Sequence, residues 1–123
     1  ETADLIVGQM VSFISPDLDA ETAARFRVPA GPQRGGLPGA SVVRTTFATQ
    51  VGRFDATRTN SPDLDWMARA MEHGARVIEI SPVVLHRRIH GGNMSLTRQG
   101  RASDRLAIVR ETLNRRRAAD RSR

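Results

Sequence analysis

From Ser61 to Ser95 the chain reads SPDLDWMARAMEHGARVIEISPVVLHRRIHGGNMS, a helix with both ends marked, an extended run and a basic loop. No other stretch restricts the fold as much. Ser61 is a good N-cap, Pro62 suits the first helical position, and Asp63 complements the positive end of the helix dipole. Leu64, Met67, Ala68 and Met71 recur at helical spacing and predict one apolar stripe, with Gly74 as the C-terminal stop. Arg76 to Ser81 predicts a short strand built on Val77, Ile78 and Ile80, which Pro82 punctuates before Val83 to Ile89 extends again. His90 to Ser95 is a polar Gly-Gly loop. The unit carries acids at one end and a basic, His-containing loop at the other, which is what a site for a negatively charged substrate requires.

The remaining segments supply the partners for this unit. Asp4 to Ile14 opens with a continuous apolar run and then alternates, a strand signal in which Gly8 marks a bulge or a close approach. Ser15-Pro16-Asp17 stops it, and Pro16 to Phe26 predicts a short helix capped by Ser15. Val28 to Gly39 holds three prolines and four glycines without a period, and reads as a loop. The β-branched Ala40 to Phe47 predicts a strand or its exit into a helical turn. Phe47, Val51 and Phe54 then follow at helical spacing until Gly52 breaks the pattern. Asp55 to Asn60 is loop-like. Ser103 or Asp104 caps a last helix with Leu106, Val109 and Leu113 as its stripe. Strands interleaved with helices predict an α/β layer structure, a small mixed sheet with flanking helices. There is no internal repeat.

At 123 residues the chain suffices for one modest domain. Residues 1–100 are expected to form it, with 101–123 as a C-terminal helix and Arg-rich tail. No run approaches the ~18 consecutive apolar residues of a membrane span. The acidic start Glu-Thr-Ala-Asp lacks a signal-peptide layout, and the absence of cysteine excludes disulfides and thiolate metal sites. These features fit a cytoplasmic chain. All 19 basic residues are Arg, whose planar fork suits phosphates and carboxylates, but five of them crowd into the last nine positions.

Three groups of residues are suited to chemistry. Asp63 and Asp65, at i and i+2 of a helix, do not face each other and are not a coupled pair. One is expected to point into a cleft as a proton acceptor while the other contacts solvent or an Arg; the alternative is that both only stabilise the helix start. His90 follows Arg87 and Arg88, so the loop combines a metal-ligand type with two guanidiniums able to grip a diphosphate. Asp17-Leu18-Asp19 is of the kind that holds a divalent ion, but the Ser-Pro before it and the helix after it make capping sufficient to account for it. With no Lys there is no phosphate loop of the Gly-Lys type, and there is no Ser nucleophile elbow.

Taken in order, Val51-Gly52-Arg53-Phe54-Asp55, Pro62-Asp63-Leu64-Asp65-Trp66, Arg69-Ala70, Gly74, Arg87-Arg88-Ile89-His90 and Asn93-Met94-Ser95 resemble the C-terminal half of family-2 glycosyltransferases. These are inverting enzymes of GT-A fold that use nucleotide-sugar donors. The resemblance spans about Leu37 to Ser95. It implies the C-terminal, acceptor-side part of a GT-A fold. In the family the acidic helix start carries the general base, and Asp63 stands in its register with Pro62 replacing a Glu; Asp65 is the second choice. The resemblance further implies substrate-binding roles for Trp66, Arg87, Arg88 and Asn93, and places His90 at a donor diphosphate and its divalent metal, Mn or Mg. A nucleotide-binding half, in this or a separate partner chain, is expected to complete the enzyme.

Two other outcomes follow from the residues. The basic loop and Arg tail suit a non-catalytic anion- or nucleic-acid-binding module, although 13 acids and few aromatics weigh against base stacking. Open sheet edges also suit a self-associating degenerate relative, a homodimer that completes the sheet.

Overall fold

The structure, a computed structural model, describes residues 2–58, 61–93 and 101–122, the side chains of 101–103 excepted. It divides into two compact units, one drawn from residues 2–43 and 76–93 and the other from 44–58, 61–75 and 101–122. Met94 and Ser95 of the basic loop, Thr59 and Asn60, and the Ser103 side chain lie outside the described residues. Among those described, no helix is long and apolar enough to cross a membrane.

The first unit is a four-stranded mixed sheet built around β1 (Leu5–Ile14). Along one edge β1 pairs antiparallel with β3 (Ser41–Val43) and, further along, with the two-residue β2 (Gln33–Arg34). Along the other edge it pairs in parallel with β4 (Val77–Ile89) from Leu5↔Val77 to Ile14↔Ile89. Leu5 and Val7, two apart and so on one face of the strand, are fully buried, and Ile6 between them is exposed. That alternation fixes the register, because a one-residue slip would expose both.

Three expectations for this unit are revised. Pro82 does not divide β4. The strand runs through it because the β1–β4 register shifts between Val7 and Gln9 and again between Gln9 and Met10, so Pro82 needs no place in a regular ladder. The same irregularity explains Gly8, over which Val84 folds so closely that a Cβ on Gly8 would lie 2.5 Å from its Cγ2. Next, the helix after β1 is only α1 (Ala20–Ala23), and its N-cap is Asp19 rather than Ser15. Asp19 accepts the Thr22 N–H at 2.8 Å, so the Asp-x-Asp element contributes a cap, the simpler of its two expected uses. Finally, the Pro/Gly-rich loop holds β2, where the Gly35 N–H reaches the Gly8 carbonyl at 2.9 Å.

The second unit is helical. Arg44 precedes α2 (Thr45–Val51), which buries Phe47 and Val51. α3 spans Pro62–Glu72 and ends in a Schellman motif, as Gly74 predicts: Gly74 N–H bonds to Met71 O and Ala75 N–H to Ala70 O, both at 3.1 Å, with Gly74 at φ 74°. α4 spans Arg101–Arg121 and packs on α3. Two predicted stripes are rotated from their expected faces. α3 buries Asp65, Trp66 and Ala70 and leaves Leu64 and Met71 exposed, because the Trp66 ring and the Asp65 ion pairs, rather than the aliphatic residues, face α2 and the loop after it. α4 buries Ile108 and leaves Leu106, Val109 and Leu113 in solvent.

Candidate functional site

The acidic helix start belongs to the second unit, and its two aspartates have different surroundings. Asp65 is 3 % exposed. Arg69, one turn on, donates from Nε to its Oδ2 at 3.2 Å, and an Arg58 terminal nitrogen lies 3.5 Å from its Oδ1. Arg69 also donates to the carbonyls of Val51 at 2.8 Å and Arg53 at 2.7 Å, so it ties the end of α2 to α3. Arg58 in turn pairs with Asp55 and Glu111. A buried carboxylate is retained only when its charge is matched and its lone pairs are used, and these two guanidiniums do both. Asp63, by contrast, is half-buried and has no hydrogen bond or ion pair among the described residues.

The residues around this acid end are held tightly. Trp66 is 3 % exposed, donates from its indole Nε1 to the Gly52 carbonyl at 2.7 Å and stacks on Phe54 with ring centroids 5.7 Å apart. The indole therefore packs the unit. Asp55 accepts the Thr57 hydroxyl at 2.6 Å and its backbone N–H at 2.9 Å, and these bonds, with Arg58 and Arg69 nearby, hold its carboxyl below the ordinary 3.8. Ser61 occupies the N-cap position of α3 but makes no capping bond. It sits in the left-handed region at φ 53°, and its buried hydroxyl has no partner among the described residues. Such a conformation in a non-glycine residue is strained, and it stands two residues before Asp63.

The basic residues belong to the first unit, at the C-terminal ends of β1 and β4. Phe13 pairs with Arg88, and the Arg88 guanidinium lies 5.9 Å from the Phe13 ring centroid. Asn93 closes the loop: its Oδ1 accepts the His90 N–H and its Nδ2 donates to the Arg88 carbonyl, both at 2.9 Å. The Gly92 N–H donates to His90 Nδ1 at 3.2 Å, so in the neutral ring the proton sits on Nε2. His90 itself is exposed. Sequence reasoning gave Asp17 no part here, yet the Ser15 hydroxyl donates to it. That bond chiefly, with Arg88 and His90 contributing, holds its carboxyl below 3.8. The proximity follows from Ile14↔Ile89 pairing, which brings the residues after β1 beside those after β4.

Among the described residues no three His, Asp or Glu side chains converge on a metal position. The structure places Asp63, Asp65 and Trp66 in one unit and Arg87, Arg88, His90 and Asn93 in the other. No family model matches the chain, and neither the curated proteins nor the solved structures yield a match.

Proposed function

We propose that the chain is the acceptor-side part of an inverting, family-2-like glycosyltransferase, and that Asp63 is its general base. One observation carries the choice of base. Of the two carboxylates on the first turn of α3, Asp65 is committed to Arg58 and Arg69, while Asp63 has no partner among the described residues. A base must have a lone pair to offer to the acceptor hydroxyl within hydrogen-bond reach. Asp63 would take that proton as the acceptor oxygen forms its bond to the anomeric carbon. The bond from that carbon to the diphosphate oxygen breaks on the opposite face, and the nucleoside diphosphate leaves with the electron pair.

By the resemblance, Arg87, Arg88 and His90 of the first unit would serve a donor diphosphate, the two guanidiniums being of the charge it requires. Trp66 supports the site by fixing α3 against Gly52. A nucleotide-binding half, in the same or another chain, would hold the nucleoside. The test is transfer from a panel of labelled nucleotide sugars to hydroxyl acceptors, by the chain alone and with such a half added. Transfer that appears with the half present supports the proposal; no transfer and no donor hydrolysis under either condition refutes it.

A further inference from the structure

We propose that the hollow of about 330 Å³ at the β1–β4 irregularity is a binding site for one neutral sugar ring. The backbone makes the hollow. Between the Val7↔Glu79 and Gln9↔Val83 pairs, Ile80, Ser81 and Pro82 of β4 stand opposite Gly8 alone. The longer strand bends there, and bulges of this kind re-aim side chains beside ligand sites. Val7, fully buried, and Ile80 supply the apolar part of the lining.

The polar part comes from three strands. Val7 pairs with Glu79 and Gln9 with Arg34, and residues paired in register share a face. Glu79 of β4, Gln9 of β1 and Arg34 of β2 therefore stand on one side of the sheet, and Ser81 joins them at the hollow. Arg34 donates from Nε to one Glu79 oxygen across β1. The terminal guanidinium nitrogens, the second carboxylate oxygen, the Gln9 amide and the Ser81 hydroxyl then have no partner among the described residues.

These groups select the ligand. Arg34 and Glu79 cancel each other's charge, so neither a phosphate nor a cation meets a net opposite charge. The lining holds no aromatic side chain on which a flat nucleobase could stack. A guanidinium, a carboxylate and an amide are planar groups that can each bond a pair of neighbouring hydroxyls, and Val7 and Ile80 suit the C–H groups of a ring. A pyranose offers both surfaces. Small-ligand sites measure about 300–1,000 Å³, and a hollow at the lower end of that range admits one ring. The site belongs to the first unit and Asp63 to the second, so sugar binding here stands or falls independently of the proposed base.

The experiment is amide NMR of the full chain titrated with the methyl glycosides of glucose, galactose, mannose and N-acetylglucosamine, and separately with glycine and inorganic phosphate. At least one glycoside should give saturable shifts at the Gln9 side-chain amide and the Gly8 and Ser81 backbone amides, with a Kd of about 1–10 mM. Gln9→Ala and Ser81→Ala, which leave the ion pair and the apolar lining in place, should each weaken that binding about tenfold with the rest of the spectrum unchanged. The proposal is overturned if no glycoside moves these signals at about 100 mM, or if both variants bind like the parent. It is likewise overturned if glycine or phosphate moves the same signals at lower concentration than every glycoside.

Discussion

Asp65 and Arg69 lie one turn apart on α3, and the guanidinium that neutralises the carboxylate at 3.2 Å also holds the carbonyls of Val51 and Arg53. One ion pair thus joins a helix to the loop before it. Removing the carboxylate takes the ion-pair partner from the largely buried Arg69 guanidinium and one of three from Arg58, and Asp65→Ala is expected to destabilise the fold by about 3 kcal/mol. Asp63→Asn, at a group with no partner among the described residues, should change stability by less than about 0.5 kcal/mol. Urea unfolding of the two variants checks this contrast, and equal losses would contradict it.

The β1–β4 irregularity gives a second expectation. Gly8→Ala places a methyl 2.5 Å from Val84 Cγ2 and 3.2 Å from its Cβ, and strain of this kind costs about 1–3 kcal/mol. In a Val84→Ala background most of that loss should disappear. A double-mutant cycle measured by denaturant unfolding reads the coupling directly, and additive losses would show that Val84 does not lie over Gly8.

Asp17, Asp19 and Asp55 each have a folded-state pKa below the ordinary 3.8. A lowered carboxylate pKa contributes stability that is present above the unfolded value and is lost as pH falls through the folded one. These groups should therefore leave stability unchanged from neutral pH down to about 5 and reduce it progressively below that. Ser15→Ala, which removes the largest contribution at Asp17, should move that carboxyl back towards 3.8 in a ¹³C NMR titration. A titration of Asp17 at or above 3.8 in the parent chain would contradict the Ser15 contact.

Local signals in the sequence located the elements whose causes are local. The apolar run from Leu5 to Val7 and the alternation after it located β1, Gly74 located the end of α3, and Gly8 marked a bulge or close approach. Orientation was less legible because it depends on partners distant in sequence. Leu64 and Met71 form a convincing stripe, yet Trp66 and Asp65 win the buried face because Gly52, Arg58 and Arg69 satisfy their polar atoms. Pro82 reads as a stop, and only the register shift against Gly8 shows why β4 continues. At the candidate site, residue types named both aspartates and the Arg-Arg-Ile-His run. Which aspartate lacks a partner among the described residues, and which His90 nitrogen accepts within the loop, depend on Arg58 and the Gly92 N–H, whose positions no spacing rule supplies.

The central claim is that Asp63 removes the acceptor proton. The most direct measurement is the rate of sugar transfer from a labelled nucleotide sugar, with the nucleotide-binding half present, by the parent chain and by Asp63→Asn at equal folded fraction. Loss of general-base catalysis is worth about 10²–10⁴-fold, so the Asn variant should fall by at least about a hundredfold while its melting curve stays that of the parent. Transfer by Asp63→Asn at the parent rate would contradict the assignment.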